Sequence, residues 1–185
     1  MYYEEHPKAD TLYQGDVLDR FIFPDPPDDT LIARSSAEDV PPLPAGEERP
    51  FTIVRVFKQG LLPDAFSTNR EAIVTTATRI RAAIISQSCD IQWKPFVTVA
   101  AVRAMTSLSS EGKKKEVRED KRFDVFWLPA SAHLEESFID FNLLLSLPGD
   151  ALKKLLPNRI LSLSISSRQQ LQWKLMRFFG RPATD

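Results

Sequence analysis

The 185-residue chain has one cysteine, two histidines and six glycines. A single cysteine, Cys89, leaves no intramolecular disulfide and no cysteine-rich zinc site. The histidines, His6 and His133, form neither an HxxxH nor an HExxH pattern, so no metal site is expected. The patterns GxGxxG, GxxxxGK[ST] and GxSxG are all missing, and so few glycines leave little backbone for a phosphate cradle, so no cofactor is expected. Residues 1–5, Met-Tyr-Tyr-Glu-Glu, lack the basic start and apolar stretch of a signal peptide. No apolar run approaches the roughly 20 residues that cross a bilayer. The expected setting is reducing and cytoplasmic, without membrane contact.

What is present is ordinary in amount and uneven in placement. Apolar residues make up 43% and charged residues 26%, close to globular averages, so the chain can bury a core. The length suits a single domain over 1–185. Residues 1–50 hold twelve acids and four bases, a net of −8; with −1 for the whole chain, the other 135 residues carry +7. An acidic head and a basic body either pack on each other or leave the body to meet phosphate or an acidic partner.

Period-two patterning predicts a mainly β protein with some helix (α+β). Gly15-Asp16 opens a strand over 17–23, which Pro24 ends. Residues 24–50 hold seven of the 14 prolines and read as a long acidic insertion or loop. Alternation resumes over 51–58 and β-branched residues over 72–78. The run Ala82-Ala83-Ile84-Ile85 suits a strand buried on both faces, and 96–102 and 123–128 read as further strands. Together, 51–128 are expected to form one closed sheet. The charged segment 106–122 reads as a solvated hairpin loop, 138–147 as a strand or short helix, and 151–156 as a short helix capped by Asp150. The clearest helix spans 166–180, with Leu171, Leu175 and Phe178, and Phe179 beside them, as the apolar stripe that packs on the sheet, and Gly180 as its stop.

Few residues carry chemistry. Cys89 and Asp90 stand where the buried strand runs out, beside Ser86, Gln87 and Ser88. A thiolate nucleophile there needs a histidine, a cation or a helix N-terminus. A small buried cysteine, with Asp90 bonding the turn, accounts for the same residues and is the expectation. Arg168, Lys174, Arg177 and Arg181 are four bases in the segment of the last helix and its stop, with no acid before Asp185. They either complement the helix dipole or form a surface for phosphate or an acidic partner. Aromatics adjoin bases at Arg20-Phe21, Phe57-Lys58, Arg122-Phe123, Trp173-Lys174 and Arg177-Phe178. Such pairs fill cores and can also stack nucleic-acid bases.

Three segments carry a resemblance. Gly15-Asp16-Val17, Ala83-Ile84-Ile85-Ser86 and Val97-Thr98-Val99-Ala100-Ala101-Val102 resemble, in order, strands of MazF/PemK-type toxins, over residues 15–105. The resemblance implies a small SH3-like barrel carrying a long proline-rich insertion and a C-terminal amphipathic helix. Those toxins cleave RNA with an arginine and a threonine. Arg103 stands at the threonine position here, and Ile80-Arg81 stand where the family has arginine-proline. The segment Ser86–Asp90 is also similar to one in small bacterial proteins, a likeness that implies no activity.

Three functional readings follow. The first is a binding module for a protein partner or a nucleic acid, using Gln87, Ser88 and the helix bases, with a homodimer as a candidate assembly. The second is a toxin-like ribonuclease needing Arg81, Arg103 and Asp90 together. The third is a Cys89-dependent enzyme.

Overall fold

The computed structural model describes residues 2–5, 7, 10–25, 29–35, 51–58, 71–74 and 76–180. Arg181 and most of the 24–50 insertion lie outside the described residues. The chain divides into two compact units, one of residues 22–78 and one of residues 1–21 with 79–185.

In the unit of residues 22–78, strand β2 (Asp29–Ser35) pairs antiparallel with both β3 (Phe51–Lys58) and β4 (Glu71–Val74). Their order is β3-β2-β4. Two expectations are corrected here. The 24–50 insertion holds a strand, because residues 28–40 are free of proline and each N–H can join a ladder. And 51–128 do not form one closed sheet, since β3 and β4 take β2 as their partner.

The main sheet holds six strands: β1 (Val17–Asp25), β5 (Thr76–Ile84), β6 (Phe96–Ala104), β7 (Val125–Leu128), β8 (Ser137–Pro148) and β9 (Arg159–Leu161). Their order is β7-β8-β6-β5-β1-β9, an open sheet with β7 and β9 at its edges. Among the described residues there are four α-helices, all between 88 and 179, giving a mixed, mostly sheet architecture: α1 (Ser88–Trp93), α2 (Glu111–Arg118), α3 (Gly149–Lys153) and α4 (Ile165–Phe179). Among the described residues no helix is long and apolar enough to cross a membrane.

The sheet centre is buried on both faces, as the apolar run predicts. Ala82 faces Ala101 and Ala83 faces Ala100 across β5 and β6, all four fully buried. Such small side chains let covering layers approach both faces closely. Over this centre lies α4. The Ser164 hydroxyl accepts from the Ser167 N–H and caps its first turn. Leu171 and Leu175 are buried in one cluster with Val17, Ala83, Ala100, Phe126 and Phe141, and Phe178 packs against it half-buried. Each such leucine contributes about 1.5–3 kcal/mol on burial.

Two more expectations change, and the choice left open at 138–147 falls to a strand. Residues 106–122 are not a hairpin loop: β6 and β7 lie on opposite sides of β8, and the segment carries α2. Its charges of both signs are helix-spaced, with Lys114 on Glu111 at 2.5 Å and Lys115 on Glu119 at 3.7 Å. Ser110 caps this helix, and buried Val117 packs with Met105, Val125 and Phe138. Residues 138–147 belong to the twelve-residue strand β8. The helix placed at 151–156 begins earlier and is the five-residue α3.

Gly15 precedes β1 with φ +84°, and a Cβ there would meet Leu163 Cδ1 at 2.7 Å. Its N–H bonds Ile84 O at 2.8 Å, so the backbone cannot retreat without losing that bond. Gly15→Ala is expected to lower stability by about 2 kcal/mol or more, from positive φ and the clash together. A urea melt checks it; an unchanged midpoint would mean that the turn relaxes freely.

Candidate functional site

The loop before β1 is held by a buried polar hub. The Asp16 carboxylate accepts from the Tyr13 N–H at 2.9 Å, the Ser162 hydroxyl at 2.6 Å and the Arg159 guanidinium at 3.2 Å. This fixes Gln14 against the end of β5. The Gln14 N–H bonds the Ser88 hydroxyl at 3.0 Å, and its Nε2 donates to Ile85 O at 2.7 Å. Gln14 is 2% exposed, and its Oε1 has no hydrogen-bond donor among the described residues. A buried acceptor left unpaired is costly, so its presence in a settled wall asks for an explanation.

Gln14 lines a cleft of about 480 Å³ between the β5–α1 segment and helix α4. One wall is Gln14, Ile85, Ser86, Gln87, Asp90 and Thr98; the other is Gln172, Leu175, Met176 and Phe179. Ser86 is fixed there because its hydroxyl accepts the Thr98 N–H at 2.8 Å. Met176 and Phe179 are 58% and 61% exposed. Asp90 is the only charged residue in the lining. The face of β6 that carries Thr98 also carries Phe96, 62% exposed.

The structure separates the residues singled out in the sequence. Gln87 and Asp90 line this cleft, and Ser88 props Gln14. Cys89 is exposed rather than buried, because Ser88–Trp93 coil into α1 and turn it outward. Its sulfur contacts Gln87 Oε1 at 3.8 Å and Asp90 Oδ1 at 3.9 Å, neither of which supplies the base or cation a nucleophile needs.

Arg81 and Arg103 line a different groove of about 450 Å³, with Arg79, Asp19, Glu135 and Ser107. Cross-strand register explains the distance from Asp90: Arg81 faces Val102, while Ile84, next to the α1 end, faces Val99. Arg81 stands 3.6 Å from Asp19 and 3.8 Å from Glu135, and Arg103 stands 3.3 Å from Asp140. The four catalytic candidates therefore do not converge. Among the described residues no three His, Cys, Asp or Glu side chains gather as a metal site.

The basic face of α4 is corrected as well. Arg168 bonds Glu4 at 2.5 Å and lies 4.5 Å over the Tyr13 ring. Lys174 is buried and ion-paired with Asp120, in the turn after α2. Position 174 falls three residues after Leu171 and beside Leu175, on the arc that meets the sheet, so its alkyl stem packs inward. Of the four bases Arg177 remains exposed, and Arg181 lies outside the described residues.

Burial, helped by nearby Arg177, pulls Lys174 down from the ordinary 10.5 to about 8. Between those values the unfolded chain holds a proton that the folded chain has lost. Stability from this site is therefore full above about 10.5 and falls away as pH drops through 8. Lys174→Met keeps the stem and leaves the exposed Asp120 in water. It is expected to raise stability at neutral pH by about 1 kcal/mol and to abolish the alkaline rise. Melts across pH 7–11 check both; a destabilised variant would mean that the ion pair outweighs burial.

Sequence reasoning missed Gln14, Thr98, Met176 and Phe179. For the last two a signal existed: an apolar residue outside the Leu171/Leu175 stripe of an amphipathic helix has no core to fill. No protein-family model matches this chain, and no curated protein matches it either.

Proposed function

We propose that this chain is a cytoplasmic binding module and that the cleft beside α4 takes an extended segment of a partner protein. One observation carries the reading: exposed Met176 and Phe179 rim a cleft whose other wall holds the unpaired Gln14 Oε1. A partner's apolar side chain would bury the rim, and a donor on the partner would satisfy the amide oxygen after a small movement of the wall. With Asp90 as the sole charge, the cleft suits a neutral or basic segment and disfavours phosphate.

A second reading is a nucleic acid at the groove of Arg79, Arg81 and Arg103, a ribonuclease substrate in its strongest form. Three arginines in one groove favour it, while Asp19 and Glu135 in the same lining oppose it. The SH3-like barrel and its MazF/PemK kinship stay part of this proposal. The three resembling segments lead into β1, run out of the end of β5 and lie within β6, and these strands are neighbours in one sheet.

Peptides selected from a random display library against the full chain test the first reading. Bound peptide is expected to shift backbone amide resonances at 85–90, 98 and 172–179. Shifts confined to the arginine groove, or a selection yielding no binder, would contradict it. For the second reading, single-stranded RNA should bind with an affinity that falls steeply as salt rises.

A further inference from the structure

Strand β8 loses its outer neighbour halfway along. β7 pairs with it only from Ser137 to Asp140, whereas β6 follows it to Pro148. The register slips between these runs: Ala101 faces Asp140 but Ala100 faces Leu144, so 141–143 bulge out. Burial changes at the same place. Ser137 to Phe141 are buried, while Leu143 and Leu144 are 44% and 37% exposed. Residues 141–149, Phe-Asn-Leu-Leu-Leu-Ser-Leu-Pro-Gly, carry no charge, and neither do 95–102 along the neighbouring strand.

We propose that the outer edge of β8 over Leu144–Pro148 is a self-association surface, where two copies of the chain pair β8 antiparallel across a two-fold axis. A bare edge offers ladder N–H and C=O groups to any extended chain. Monomeric proteins guard such edges with lysine, inward charges or a covering element. Among the described residues no lysine or inward charge stands on 144–148; the bulge at 141–143 lies before this run and proline comes at its end, at Pro148. A second copy fits the chemistry in particular. A two-fold axis sets each strand against its own sequence, so a charge near the axis would face its like, and nine successive neutral residues remove that penalty. The apolar surface beside the ladder supplies what backbone bonds alone do not. Leu144 lies on the same face as Phe96, which sits opposite Pro148, and both are exposed.

Sedimentation equilibrium of the full chain, from micromolar to near-millimolar concentration, reads the assembly. The expected result is a reversible monomer–dimer equilibrium. Ser146→Lys, at the centre of the paired run, is expected to weaken it at least about tenfold, by setting like charges across the axis. Hydrogen exchange of the unmodified chain reads the same surface without a variant: amides within 144–148 should slow as concentration rises. A chain that stays monomeric throughout overturns the proposal. So does a dimer whose 144–148 amides exchange as fast as the monomer's, since that dimer forms elsewhere. A monomer whose edge amides slow only with a display-selected peptide present would assign the edge to a partner and equally overturn self-pairing.

Discussion

Asp16→Ala is expected to cost about 3 kcal/mol or more, a fall in melting temperature of about 6–12 °C for a chain of this size. Asp16 is wholly buried, and Arg159 is 9% exposed in its side chain. Removing the carboxylate strands a guanidinium, the Ser162 hydroxyl and the Tyr13 N–H away from water. Arg159 keeps its 2.6 Å bond to Thr11 O, which holds the loss to the lower part of the range for broken buried pairs. Asp16→Asn preserves volume but sets an NH2 among groups that donate, so it should recover less than half of the loss. The carboxyl also makes the effect depend on pH. Burial pushes it above the ordinary carboxylate range, against the downward pull of Ser162, the Tyr13 N–H and Arg159. The folded chain therefore keeps this proton to higher pH than the unfolded chain does. Wild-type stability from the site is greatest in acid and declines as pH rises through the raised value. Chemical melts of both proteins across the acid range check the sign. A gap between them that widens with pH would contradict it.

Leu171→Ala should cost about 2–5 kcal/mol, because Leu171 is fully buried at the centre of the α4 contact and its loss leaves a cavity. Met176 and Phe179 lie five and eight residues further along the same helix, yet their truncation to serine should change stability by no more than about 0.5 kcal/mol each. That contrast separates the two jobs of one helix. Leu171, Leu175 and Phe178 hold α4 on the sheet, and Met176 and Phe179 line the cleft. Matched urea melts read it directly; equal losses at 171 and 179 would place Phe179 in the core.

Much of the sheet is legible in the sequence because its centre is apolar without interruption. Ala82 to Ile85 and Val97 to Val102 admit few other fates, and the Leu171/Leu175 stripe marks α4 at helical spacing. The edges of the reading fail for identifiable reasons. Counting prolines across 24–50 conceals a proline-free stretch able to form β2. Mixed charge over 106–122 resembles a solvated loop until Ser110, Glu111, Lys115 and Arg118 are placed as cap, first turn and last turn. Strand partnership is a long-range matter that no local pattern encodes, so β3 and β4 read as members of the wrong sheet. The candidate site divides in the same way. Ser86 to Asp90 stand out locally, while Gln14 reaches them only through the fold, 71 residues away from Ile85. Lys174 reads as surface because it is a lysine, although its helical position turns it inward.

The central claim is that Met176 and Phe179 serve a partner rather than the core. Calorimetric titration of a display-selected peptide into wild type and into Met176→Ser with Phe179→Ser tests it most directly. The account predicts at least about a thirtyfold loss of affinity in the double variant, the scale of a lost interface anchor, with an unchanged urea midpoint. Equal affinity for both proteins, or a loss matched by unfolding of the variant, would contradict it.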